Sequence, residues 1–196
     1  LLLALVLVFG VAAGGAIAWL IDQTAEVKNT FTYGDISIKL TETWNTDADK
    51  DGEDDSWTAY MAPGYSYTKD PEVTVEANSV DCYLFVKFEQ SNDSLLTYTS
   101  TLNPTNGWTQ GEGEGEGKNG VPTNVWYRTV KSQNGDQSWS LILGNTVSVD
   151  DSVTKEQVKA LGNKTATLTY TAYACQLYKD NNSPFPPAEA WANANA

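Results

Sequence analysis

Residues 82–88 read Cys-Tyr-Leu-Phe-Val-Lys-Phe. On an extended chain Cys82, Leu84, Val86 and Phe88 fall on one side, and Tyr83 and Phe85 fall on the other. A strand that is apolar on both sides must be covered on both, so this segment predicts the centre of a sheet. Residues 165–178 predict a long companion strand, with Ala166, Leu168, Tyr170, Ala172 and Ala174 on one face. Working outward, Ile36, Ile38 and Leu40 alternate with Ser37, Lys39 and Thr41 after a Gly34-Asp35 turn. Residues 72–78 carry Val73, Val75 and Ala77 on one face, and 96–102, 124–131, 138–143 and 146–149 read as further strands. Pro63-Gly64 marks a turn, and Asn134-Gly135 between two strand-like runs predicts a hairpin. Residues 154–161 predict a short helix, with Thr154 and Gln157 as a capping box and Gly162 as its stop. A second short helix is expected over 188–196, after Pro184, Pro186 and Pro187. The pattern predicts an all-β fold, a jelly-roll-like β-sandwich with one or two short helices. Neither an internal repeat nor a second domain is visible: residues 1–20 form an apolar helical segment and 21–196 the sandwich.

The 196 residues carry 12 Lys plus Arg against 25 Asp plus Glu, a net charge of −13. So acidic a surface argues against nucleic acid and against anionic lipid headgroups as partners. The chain has no histidine. That excludes Ser-His-Asp and Cys-His catalysis and every His-based metal site. Seven Trp, ten Tyr and five Phe, with many Thr and Val, fit β structure.

Residues 1–20 read LLLALVLVFGVAAGGAIAWL, and the chain carries no charge before Asp22. With Leu1 in place of an initiator methionine, a leader is expected upstream. Eighteen helical residues span about 27 Å, just under a hydrocarbon core of roughly 30 Å. Ala16-Ile17-Ala18 is a small-x-small pattern that a signal peptidase reads, and Gly14-Gly15 loosens the helix before it. The segment is therefore a secretory signal, a membrane anchor, or a retained helix. A retained apolar helix needs like helices around it in water, as in a pilin-type filament core. Bacterial type IV pilins usually carry Glu at their fifth position, where this chain has Leu5.

Four segments resemble the TasA/camelysin family of secreted Gram-positive proteins, which are exported with a SipW-type signal peptidase. They are GGAIAWLIDQTAEVKNTFTYGDISIKLTE (14–42), PGYSYTKDPEVTVEANSVDCYLFVKFE (63–89), the pair NGW (106–108) and VWYRTV (125–130), and LTYTAYACQ (168–176) with AEAW (188–191). The resemblance implies a secreted jelly-roll domain that in several members self-assembles into biofilm fibres, an N-terminal strand of one subunit completing the sheet of the next. It implies no shared catalytic constellation. The Glu-Gly repeat and the Asp-rich loop depart from the fibre-forming members.

Asp47, Asp49 and Asp51 occupy positions 1, 3 and 5 of a D-x-D-x-D-G loop, with Gly52 at the sharp turn. Glu53 would offer a backbone carbonyl and Asp55 a side chain, which makes Ca²⁺ the cofactor to expect. Position 12 is Thr58 where an EF-hand has Glu, so a solvated acidic loop is the other reading. Cys82 and Cys175 are the only cysteines. Outside the cell a pair of cysteines points to a disulfide, with two buried free thiols as the alternative. Residues 110–120 (QGEGEGEGKNG) predict a mobile acidic loop, unable to hold Glu112, Glu114 and Glu116 as a rigid catalytic pair. Trp44, Trp57, Trp108, Trp126 and Trp139 read as packing residues, with carbohydrate stacking as the alternative.

The sequence therefore predicts no enzyme but a structural subunit of an extracellular surface filament or matrix fibre. The expected partner is a second copy of the chain. The expected assembly residues are Leu1, Leu5, Leu7, Phe9, Gly14, Gly15, Trp19 and Leu20. Membrane passage or anchoring would precede assembly, with no membrane contact in the assembled state. A monomeric surface adhesin or wall-associated binding protein is the alternative, and a camelysin-like protease the third. Residues 1–40 folded back on their own subunit would favour the monomer.

Overall fold

The computed structural model describes residues 21–23, 35–43, 62–91, 95–160, 166–180 and 183–196. The apolar segment 1–20, expected as a helix, lies outside the described residues. The strands are β1 (Ile21–Gln23), β2 (Ile38–Thr41), β3 (Ser66–Thr68), β4 (Glu72–Val75), β5 (Cys82–Ser91), β6 (Leu96–Thr97), β7 (Thr109–Gln110), β8 (Val125–Val130), β9 (Gln137–Ser140), β10 (Thr146–Val149) and β11 (Thr167–Gln176). Among the described residues two short α-helices accompany them, α1 (Lys155–Ala160) and α2 (Pro187–Ala194). All pairings are antiparallel, in sheets of order β1-β11-β5-β8-β7, β3-β10-β6 and β2-β4-β9.

The expected central strand is central. β5 pairs with β11 over ten residues, Cys82 opposite Gln176 through Ser91 opposite Thr167, and with β8 on its other side. One face of this sheet presents Cys82, Leu84, Val86, Val130, Tyr170, Ala172 and Ala174. These pack on Ile36, Ile38, Val73, Val75, Leu141, Ile142 and Val147 from the two smaller sheets. The opposite face presents Tyr83, Phe85, Tyr173 and Cys175, which α2 covers with Ala190, Trp191 and Ala194. Pro187 suits the first helical turn, where its missing N–H costs nothing. The Trp191 ring meets Phe85 and Tyr173 edge-on, with centroids 5.5 and 5.1 Å away.

The two smaller sheets form one interrupted layer. β4 and β3 run alongside β9 and β10, but between the two ladders residues 141–145 face only 69–71. The surplus bulges out around Gly144, which has φ 71°. Leu141 N–H donates to Pro71 O at 2.8 Å and Lys69 N–H to Asn145 O at 3.0 Å, so the layer is bent rather than cut.

The α1 capping box is present: Gln157 N–H donates to Thr154 Oγ1 at 3.2 Å, and Thr154 N–H to Gln157 Oε1 at 2.7 Å. One local expectation is overturned. Asn134-Gly135 does not close a hairpin: β8 belongs to the large sheet and β9 pairs with β4, so this turn carries the chain between layers. Side-chain docking outweighs turn propensity here. Asp81 and Asp136 accept the backbone N–H groups of Ser132 and Ala77, each at 2.8 Å. The 110–120 segment carries a side-chain brace of its own. Asn119 Oδ1 accepts from Glu112 N–H (2.9 Å) and Val121 N–H (3.1 Å), and its Nδ2 donates to Gln110 O (2.9 Å). Its glycines serve that brace. A Cβ on Gly111 would lie 1.9 Å from Pro122 O, and Gly113 and Gly120 have φ of 76° and 72°.

Candidate functional site

The described part of the N-terminal segment lies at the outer edge of β11. β1 lies there antiparallel, with Ile21 opposite Cys175, Asp22 opposite Ala174 and Gln23 opposite Tyr173. β11 has ten residues, so β1 covers less than a third of this edge. Residues 167–171 carry no strand on that side among the described residues. Leu1, Leu5, Leu7, Phe9, Gly14, Gly15, Trp19 and Leu20 lie outside the described residues, as do Asp47, Asp49, Asp51, Glu53 and Asp55. The residues that lead into the acidic segment, Glu42 and Thr43, are described and tied down. Thr43 N–H and hydroxyl both donate to the Asp70 carboxylate. Next to it, Lys69 Nζ bonds both oxygens of Glu42 at 2.8 and 3.0 Å. Among the described residues no group of three or more His, Cys, Asp or Glu side chains could hold a metal ion.

The expected disulfide is not formed; Cys82 and Cys175 are free and buried. They lie on neighbouring strands, but Cys175 pairs with Tyr83 and Cys82 with Gln176. That offset of one residue puts them on opposite faces, Cys82 in the core between the layers and Cys175 under α2. Side chains that point apart across a sheet cannot be bridged without moving the backbone. Burial pushes both thiols up to about 12, so neither is a nucleophile at neutral pH.

The tryptophans that the structure describes pack the interior. Trp108 is 2% exposed, and Trp126 and Trp139 are half-buried against the same core. Two of them form a clamp that sequence reading missed. Arg128 on β8 places its guanidinium 4.3 Å from the Trp139 ring and 5.2 Å from that of Trp108. The two rings meet edge-on, 6.4 Å apart. Arg128 donates a long 3.4 Å bond to Asn106 O, and its buried Nε has no partner. Among the described residues no carboxylate pairs with it, although the chain is strongly acidic; the aromatic faces stand in for a counterion. Burial pulls the guanidinium below its ordinary value, though an arginine keeps its charge.

At one corner, Lys131 Nζ donates to Asp81 at 2.6 Å and to the Tyr178 hydroxyl at 2.9 Å. This contact holds the Asp81 carboxyl below the usual range. An open cleft of about 670 Å³ separates the Glu-Gly loop from α2, lined by Glu114, Asn124, Trp191 and Asn195 among others. No family model, curated protein or solved structure matches this chain.

Two outcomes follow from this geometry. A thiol reagent should modify both Cys82 and Cys175 in denatured protein that was never reduced, and neither in the folded protein on the same timescale. Mass spectrometry reads the count, and a disulfide would leave both unmodified. Arg128→Ala should lower stability by about 1–3 kcal/mol, through lost cation–π contact and lost packing. Arg128→Lys should recover only part of it, because an ammonium cannot lie flat between two rings; denaturant titration measures both.

Proposed function

We propose that this chain is a structural subunit of an extracellular surface filament or matrix fibre, joined to its neighbours through its N-terminal segment. The observation that carries the reading is β1: a three-residue strand beside β11 in the sheet that organises the fold, with no further strand on that side among the described residues. A strand held there by main-chain bonds occupies a position that the same strand of a second copy can take. Such an exchange also satisfies an exposed edge that would otherwise pair without control. The resemblance to the TasA/camelysin family supports the reading, as does the alternation of strands between two layers, which suits a jelly-roll-like sandwich. The lack of histidine and of an activated nucleophile supports a role without catalysis, and the acidic surface a partner that is not nucleic acid.

A monomeric surface adhesin is the second reading. It is favoured by β1 and β2 both pairing within their own chain. The apolar segment 1–20 serves either as an export signal or as a retained helix packed among neighbours. In the retained form Gly14 and Gly15 would allow close approach.

Full-length protein should form large particles by light scattering and electron microscopy, and a chain beginning at Gly34 should stay monomeric. Filaments from the shortened chain would remove the N-terminal joint. A full chain that stays monomeric at every concentration would favour the adhesin. The Asp47–Asp55 loop is proposed to bind Ca²⁺, which would relieve repulsion among its crowded carboxylates. Added Ca²⁺ should then raise the melting temperature, by mass action worth about 2.7 kcal/mol at a hundredfold excess over Kd. Asp47→Ala with Asp51→Ala should erase the shift.

A further inference from the structure

Asn106-Gly107, Asn119-Gly120 and Asn134-Gly135 are the three Asn-Gly dipeptides of the chain. Without a Cβ, glycine lets its own backbone nitrogen approach the preceding asparagine Cγ, so these pairs are prone to ring closure. The fold treats the three differently. Asn106 Nδ2 donates to Thr101 O at 2.9 Å, and Gly107 N–H donates to Pro104 O at 3.0 Å. Asn119 is held by the three side-chain bonds that brace its loop, and Gly120 N–H donates to Gly113 O at 3.1 Å. In both pairs the attacking nitrogen and the target amide are engaged.

Asn134-Gly135 is the exception. Both residues are exposed, and neither makes a hydrogen bond among the described residues. A Cβ at Gly135 would meet no heavy atom within 4 Å. Meanwhile both flanks are pinned: Asn78 N–H donates to Gln133 O, and Ala77 N–H to Asp136 Oδ1, each at 2.8 Å. The dipeptide is a free span between two fixed points.

We propose that Asn134 is a site of spontaneous covalent modification, and the one reactive member of the three in the folded protein. The Gly135 nitrogen loses its proton to hydroxide and attacks Asn134 Cγ. A C–N bond forms, the Cγ–Nδ2 bond breaks, and the side-chain nitrogen takes a proton from water and leaves as ammonia. Water then opens the five-membered imide at either carbonyl, giving aspartate or isoaspartate; nothing is oxidised or reduced. Either product adds a carboxylate next to Asp136. The isoaspartate also lengthens, by one methylene, the main chain that links the two layers.

The test is peptide mass mapping of the folded full chain during incubation in mildly alkaline buffer, with the same incubation in denaturant beside it. In the folded chain Asn134 should convert about tenfold or more faster than Asn106 and Asn119, which react only when their loops open. In denaturant the three should convert at similar rates. Gly135→Ala puts a methyl into open space, so it should fold normally and leave Asn134 intact. Equal conversion of all three in the folded chain would overturn the proposal. So would an intact Asn134 while the denatured chain converts.

Discussion

The ten-residue ladder between β5 and β11 is the constraint on which the rest of the molecule depends. It joins residues 76 to 94 positions apart in the chain and fills both faces of the large sheet at once. Alternation on β5 sends Leu84 and Val86 into the core between layers and Tyr83 and Phe85 towards α2. β11 answers with small residues, Ala172 and Ala174, on the first face and with Tyr173 on the second. The small side chains leave room for Val73, Val75 and Ile38 from the opposing layer, and the large ones supply the surface on which Trp191 sits. Large opposite small is how close-packed layers reach interior density.

The opposing layer obeys a different constraint. Its strands are short, and a five-against-three mismatch around Pro71 and Gly144 bends it. Pro71 has no N–H to give to a ladder, so a regular pairing could not run through it. A bend at this point lets one layer follow the twist of the longer sheet opposite. The crossing at Asn134-Gly135 belongs to the same economy. The chain leaves β8 in one layer and enters β9 in the other, held by Asp81 and Asp136 instead of by strand pairing.

Electrostatics play a local part. Exposed pairs such as Lys179–Glu189 contribute little in water. Lys69–Glu42 is more sheltered, with side-chain exposures of 16% and 18%, and it ties the end of β2, which leads into the acidic segment, to the β3–β4 connection. Arg128 solves a different problem. A guanidinium enters a partly buried rim without a carboxylate, and two indole faces compensate for lost hydration. The clamp joins β8 to β9 across the layers and to Trp108 beside β7.

Much of the strand pattern was legible by residue alternation: Val73 and Val75, the run from Cys82 to Phe88, and Ala172 and Ala174 all face where a period of two puts them. The α1 capping box was legible because it is closed by residues three apart. The site was less so. β1, β3 and β7 have two or three residues each, too few for a period to register, and they exist because a neighbouring edge accepts them. Asn119 organises the Glu-Gly segment through partners that composition does not reveal, which is why low complexity suggested mobility there. The cysteines show the division most plainly. Alternation puts Cys82 opposite in sense to Tyr83, and Cys175 opposite in sense to Ala174. Whether the two thiols share a face depends on register, which is a property of two strands together and belongs to neither alone. The sequence by itself determined an acidic, histidine-free, all-β chain with a doubly apolar central strand, because charge, chemistry and period are written in consecutive residues. Only the tertiary structure decided the register of β5 on β11, the separation of the thiols, the Arg128 clamp and the strand at the sheet edge, because each depends on which distant segments come to lie side by side.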